Sequence, residues 1–121
     1  MNAVIDDFKI IEKNCGIFYA NQFYGFLEEF LQLTKTKNFD SFFKKYHICT
    51  EVEIGSAMNE FIPDEFIPFF AEEQNGGVDY YCFERKNHEN KNRVIVFSGD
   101  AVVREWKNSD EFLNWVSKKI N

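Results

Sequence analysis

Residues 66–84 read FIPFFAEEQNGGVDYYCFE and predict a β-hairpin. Phe66 to Glu73 is an apolar run that is typical of a buried strand. Asn75-Gly76-Gly77 follows it, and an Asn-Gly pair readily adopts the positive φ angles of a tight turn. Val78 to Glu84 is rich in aromatic and β-favouring residues, which indicates the second strand. The two strands are therefore expected to pair antiparallel.

The chain after this hairpin continues the β pattern. Lys86 to Asn92 is polar and predicts a loop, and Arg93 to Phe97 predicts a third strand. Ser98-Gly99-Asp100 is a turn sequence that leads into a fourth strand, Ala101 to Trp106. Four strands joined by short connections predict an antiparallel meander.

Helical patterns flank these strands on both sides. The apolar residues Val4, Ile5, Phe8 and Ile11 recur at helical spacing, and Asn14-Cys15-Gly16 is typical of a helix end. A second stripe follows, and it is formed by Ala20, Phe23, Leu27, Phe30 and Leu31.

Two further helices are indicated by their capping residues. Asp40 is expected to cap a brief helix that carries Phe42, Phe43 and Tyr46. Asn108 is expected to cap the C-terminal helix, with Glu111 three residues further on. The apolar residues of that helix are Phe112, Leu113, Val116 and Ile120.

These elements together predict an α+β fold in one domain, residues 1–121. The expected architecture is a mainly antiparallel, twisted sheet of about four or more strands, packed against N-terminal helices and a C-terminal helix. A chain of 121 residues fits one such domain.

The cysteines and the N-terminal residues favour a cytoplasmic location. Cys15, Cys49 and Cys82 are odd in number and have no CxxC spacing, which is unlike a secreted disulfide framework. Asp6 and Asp7 interrupt any apolar leader. The longest charge-free stretch, residues 14–27, is too short to span a bilayer.

The chain has a net charge of −6, and its acidic residues are concentrated in residues 51–84. This span contains no Lys, Arg or His, and its nine acids are Glu51, Glu53, Glu60, Asp64, Glu65, Glu72, Glu73, Asp79 and Glu84. Such a surface repels phosphates and anionic lipids, so neither nucleic acid nor a membrane is the expected partner. The acids either form an ordinary solvated face or steer a basic protein partner to the domain.

No motif indicates catalysis, a metal site or a cofactor. His47 and Cys49 form one loose pair, with Cys82 as a third candidate ligand, but zinc sites usually show two firmly spaced pairs. His88 is most simply a solvated loop residue. No glycine-rich phosphate loop or nucleophile motif is present. The sequence therefore favours a protein without enzymatic activity.

Two segments resemble the SUKH superfamily, which includes a fungal cell-wall-assembly regulator and many bacterial immunity proteins. The first is residues 61–83, FIPDEFIPFFAEEQNGGVDYYCF, which is similar to the family's "IP–x–x–x–IPFA" strand, acidic glycine turn and following strand. The second comprises Val94 to Phe97 and the helix sequence of residues 109–116, SDEFLNWV. The resemblance covers about half of the chain, and the first half offers only a rough counterpart at residues 22–27.

This resemblance implies a sheet packed against helices and a non-enzymatic role, most often the neutralisation of a toxin. Many such toxins are basic nucleases, which an acidic protein complements. The residues expected to contact the partner are Glu60, Asp64, Glu65, Glu72, Glu73, Asp79, Tyr81 and Glu84. A regulatory adaptor that binds endogenous proteins is the alternative, and small-ligand sensing between sheet and helices is a third possibility.

Overall fold

The computed structural model describes residues 3–15, 21–74, 76–85 and 92–121. Within these ranges the chain forms five helices and five strands. In chain order they are α1 Ala3–Cys15, α2 Asn21–Thr34, α3 Lys37–Phe42, β1 Tyr46–Ile48, α4 Glu51–Glu60, β2 Phe66–Gln74, β3 Gly77–Glu84, β4 Val94–Ser98, β5 Ala101–Trp106 and α5 Ser109–Ile120.

The strands form one sheet in the order β1-β2-β3-β4-β5, and every neighbouring pair is antiparallel. The predicted α+β class and the meander of four strands are thus confirmed, with β1 as an additional edge strand. Gly76 and Gly99 have φ angles of 79° and 63°, which only glycine adopts without strain at these two turns. Asn75 and residues 86–91 of the predicted loop lie outside the described residues.

The segment before β2 differs from the prediction in two ways. Tyr46 begins β1 instead of ending a helix, because α3 stops at Phe42 and the backbone then pairs with β2, with Tyr46 opposite Glu72. Thr36, and not Asp40, is at the N-cap of α3, and the Asp40 carboxylate instead accepts a 2.7 Å hydrogen bond from the Tyr46 hydroxyl.

Helix α4 was not predicted, although its start carries a complete capping box. The Thr50 side chain accepts a hydrogen bond from the backbone N–H of Glu53, and the Glu53 carboxylate accepts one from the backbone N–H of Thr50. This reciprocal arrangement satisfies two otherwise unpaired donors at the helix start.

The main core lies between one face of the sheet and helices α1, α2, α3 and α5. Phe30 is fully buried at its centre, with its ring centroid 5.1–5.8 Å from those of four other phenylalanines. The opposite face of the sheet is covered by the α4 segment through Ala57 and Ile62, which pack on Cys82, Ile95 and Phe97. We call these the helical face and the α4 face.

The C-terminal helix forms as predicted. The Asn108 side chain accepts a 2.9 Å hydrogen bond from the backbone N–H of Glu111 and so caps α5. Its four predicted apolar residues are all buried. None of the described helices has both the length and the apolar character needed to cross a membrane.

Candidate protein-binding surface

Glu72 and Asp79 lie directly opposite each other on β2 and β3. The Glu72 carboxylate accepts hydrogen bonds from the Tyr81 hydroxyl at 3.3 Å and from the Gln74 amide at 3.1 Å. Burial raises the pKa of Glu72, and the neighbouring charge of Asp79 acts in the same direction. These two carboxylates therefore form one local group, which we call the hairpin group.

Tyr81, which was predicted to contact the partner, is only 5% exposed. Its ring packs 5.1 Å from Phe70 and 6.3 Å from Trp106, centroid to centroid. Burial raises the pKa of the Tyr81 hydroxyl well above its ordinary value, and the charge of Glu72 adds to this. Tyr81 thus donates a hydrogen bond to the Glu72 carboxylate from within the core and offers little side-chain surface to a partner.

Glu84 is buried as well, with 3% exposure. Arg93, which immediately precedes β4, donates to its carboxylate from Nη2 at 2.7 Å, from Nε at 3.0 Å and from the backbone N–H at 3.3 Å. The guanidinium also lies 5.5 Å from the centre of the Phe66 ring. Glu84 therefore links β3 to β4, and its charge is already matched within the fold.

Three acids are exposed along α4 and the turn that follows it: Glu51, Glu60 and Asp64. We call them the α4 group. Arg85 fixes this turn, because its backbone N–H donates to the Glu65 carbonyl at 2.6 Å and its side chain donates to the Asp64 carbonyl. Glu65 is half-buried. The charge of Glu60 contributes to raising the pKa of Tyr80, after the larger effect of burial, which places Glu60 on the α4 face with this ring.

The predicted site residues thus do not form one continuous surface. Glu72 and Asp79 share the side of the sheet that Tyr81 occupies, whereas the α4 group follows the helix that covers the other side. Glu73 is exposed next to Glu72, and its side chain points to the opposite side because successive strand residues alternate.

Cations that are distant in sequence lie beside the hairpin group. Lys44 and Lys45 line an open cleft of about 340 Å³ together with Glu72 and Glu73, and the backbone N–H of Glu73 donates to the Lys45 carbonyl at 2.8 Å. The positive charge of Arg104 also acts on the Tyr81 hydroxyl. It lowers the pKa of Tyr81, although burial raises that pKa by more. The hairpin end of the acidic span is consequently mixed in charge.

The Arg104 guanidinium lies over two tryptophan rings, a contact that the sequence did not predict. Its guanidinium lies 4.5 Å from the ring centroid of Trp115 and 5.2 Å from that of Trp106. A cation over an indole face is attracted by the ring quadrupole. Arg104 and Trp106 are two residues apart on β5 and so share a face, whereas Trp115 comes from α5, which no local spacing could have indicated.

His47 and Cys49, the loose pair noted in the sequence, lie where β1 leads into α4. His47 Nε2 is 2.6 Å from a Glu53 carboxylate oxygen. Burial pushes the pKa of Glu53 up, but the hydrogen bonds from His47 and Thr50 outweigh burial and leave it lowered. This hydrogen bond joins the edge strand to the first turn of α4.

The two cysteines that the structure describes are buried and free. Burial raises the pKa of the Cys49 and Cys82 thiols well above the ordinary value, so both are protonated at neutral pH. Among the described residues no three His, Cys, Asp or Glu side chains come together in a way that suits a metal ion. His88 and the Cys15 side chain lie outside the described part of the chain.

Comparison with protein-family models, with characterised proteins and with solved structures gave no match. The SUKH resemblance therefore stays a prediction, and what the fold itself defines is an α+β domain with a five-stranded antiparallel sheet.

Proposed function

We propose that this chain is a protein-binding domain that engages a basic partner protein through the α4 group, and that it neutralises this partner as an immunity protein neutralises a toxin. The observation that carries the proposal is the exposure of Glu51, Glu60 and Asp64 along one helix and its following turn. Residues 51–84 include no cation, and the next residue, Arg85, brings one positive charge to the turn through its bonds to the Asp64 carbonyl. A concentrated charge of this kind accelerates encounter with a partner of opposite sign.

Binding without chemistry fits the described side chains. A nucleophilic cysteine acts as its thiolate, but both described thiols are buried and held protonated. His47 Nε2 is hydrogen-bonded to the Glu53 carboxylate, and this contact joins β1 to α4. Cys82 lies on β3 and packs under the α4 segment.

The toxin part of the proposal rests on the sequence resemblance together with the acidic surface. Nucleases bind phosphates and therefore present basic grooves, which carboxylates on a rigid helix complement. The mixed charge of the hairpin end makes the α4 group the more selective surface for a basic protein.

A charge-neutralised variant tests the proposal. Glu51→Gln, Glu60→Gln and Asp64→Asn together remove three negative charges with little change of shape. The matched control, Glu28→Gln, Glu29→Gln and Asp110→Asn, changes the net charge equally at exposed residues of α2 and α5. Wild type and both variants serve as bait at low and high salt against lysate of the source organism, and against the products of neighbouring genes.

The wild type is expected to capture one basic protein near one-to-one, and to rescue cells that express it. The triple variant should slow association by about tenfold at low salt, since steering contributes roughly 10–1000-fold to such rates. The control should be close to wild type. Capture of several endogenous proteins without salt dependence would contradict the toxin proposal and favour the adaptor. Equal effects of both variants would show that only net charge matters, not the α4 group.

A further inference from the structure

A groove of about 280 Å³ lies between α1 and the junction of β1 with α4. Its floor is formed by the apolar residues Phe8, Ile11 and Cys49, each of which is no more than 4% exposed. Ile48 and Val4 extend the apolar lining at its sides, where both are half-buried.

The rim of this groove combines an exposed apolar residue with carboxylates. Ile10 is 53% exposed, and the side chains of Asp7 and Glu51 line the same groove as exposed residues. A single exposed isoleucine is ordinary on a protein surface. Here, however, it borders a concave apolar floor, and the charged residues that line the groove in the described part of the chain, Asp7 and Glu51, are acidic.

The size of the groove distinguishes between possible occupants. Sites for small molecules usually measure about 300–1000 Å³ and enclose most of the ligand. This groove lies just below that range and is open, so it suits one or two side chains of a protein better than a free metabolite. The acidic rim then selects a segment in which the apolar side chain is flanked by a cation.

We propose that this groove is the apolar docking point for a basic protein segment, in which one large aliphatic side chain enters the groove and an adjacent lysine or arginine faces Asp7 and Glu51. This inference rests on the proposed function, since it assigns the anchoring contact of the same basic partner. Glu51 belongs both to the α4 group and to the groove, whereas Glu60 lies at the other end of α4. A buried aliphatic anchor surrounded by charges is a common arrangement in protein interfaces.

Defined peptides provide the probe. The first is a short capped peptide of lysines and serines with one central leucine. In the second, serine replaces the leucine, and in the third, glutamate replaces each lysine. Binding is followed on the full chain by backbone amide NMR shifts. The leucine–lysine peptide should shift residues 4–11 and 48–51, and loss of the leucine should weaken binding about tenfold or more.

Two variants with equal exposure and equal charge change provide the control. Ile10→Lys places a cation at the groove, whereas Val102→Lys changes a valine that is 54% exposed on β5, at the opposite edge of the sheet from β1. Ile10→Lys should weaken the leucine–lysine peptide about tenfold or more, and Val102→Lys less than about twofold.

The outcomes separate this inference from the proposed function. Shifts confined to the hairpin group or to residues 60–64 would overturn the docking point but leave a basic partner in place. Equal binding of the serine peptide would overturn it in the same way. Absence of binding by every lysine peptide would count against both proposals. Self-association of the free protein that Ile10→Lys abolishes would mean that a second copy occupies the groove, which also overturns the inference.

Discussion

Replacement of Arg93 by methionine removes the partner of a buried carboxylate. The Glu84 side chain is 4% exposed and accepts hydrogen bonds from two of the three side-chain nitrogens of Arg93, Nη2 at 2.7 Å and Nε at 3.0 Å. Methionine keeps much of the aliphatic length that packs near Phe66 but provides no side-chain donor. The Glu84 carboxylate then loses its cation and keeps only the hydrogen bond from the backbone N–H of residue 93.

The expected cost follows from the burial of both partners. Removal of one member of a fully buried pair costs about 3–5 kcal/mol, because the remaining charge is desolvated without compensation. The Arg93 side chain is 40% exposed, so water reaches part of this pair and weakens it. We therefore expect the free energy of unfolding to fall by about 2–3 kcal/mol. For a domain of this size that corresponds to a Tm lower by about 10 °C.

Urea unfolding measures this change, with Trp106 and Trp115 beside the core as fluorescent reporters. Lys118→Met, at an exposed position of α5, is the control and should change stability by less than about 0.5 kcal/mol. The double variant Glu84→Leu with Arg93→Met should recover most of the loss, because no buried charge remains. If the two substitutions proved additive, or if Arg93→Met cost less than about 1 kcal/mol, the pair would not be the link between β3 and β4 inferred here.

Two further predictions follow from the core and the tyrosines. Phe30→Ala should lower the free energy of unfolding by about 3–5 kcal/mol in urea titrations, while the same change at half-buried Phe42 should cost clearly less; equal costs would contradict the central place of Phe30. Burial raises the pKa of Tyr46 to about 12, and the pKa values of Tyr24, Tyr80 and Tyr81 are raised as well. Above pH 10 the unfolded chain therefore releases protons that the folded chain keeps, so the free energy of unfolding should fall as pH rises. Ultraviolet titration should show these phenols ionising near pH 10 only in denaturant. Their ionisation near pH 10 in the folded protein would refute the raised pKa values.

The elements that the sequence predicted well are those with complete local signals. The hairpin around Gly76 combines two β-favouring runs with turn residues, and α5 has both an N-cap at Asn108 and a regular apolar stripe. β1 was missed because three residues carry no period of their own. Its existence depends on pairing with β2, which lies more than twenty residues further along the chain.

Helix α4 was missed for a different reason. Its only buried residues are Ile54 and Ala57, so the helix presents little apolar periodicity. The capping box between Thr50 and Glu53 was nevertheless a visible signal, since a threonine followed three residues later by glutamate marks many helix starts.

The acidic span shows the limit of counting charges along a chain. The sequence correctly located the carboxylates of residues 51–84, but it could not show that Glu84 is matched by Arg93 or that Glu53 bonds His47. Strand pairing brings together residues from separate segments, as with Lys45 beside Glu73. Only the fold reveals which acids of this span are exposed: Glu51, Glu60 and Asp64 lie on and beside α4, and Glu73 lies on β2.

The two proposals assign two physically different contributions to binding to α4 and its surroundings. The exposed carboxylates of Glu60 and Asp64 act over a distance, so their removal should reduce the association rate, and salt should reduce it in the same way. The groove bordered by Ile10 acts only after contact, so its disruption should raise the dissociation rate and leave the association rate nearly unchanged. Since Glu51 takes part in both, Glu51→Gln should affect both rates. If it altered only one of them, the charged surface and the apolar groove would belong to separate binding events.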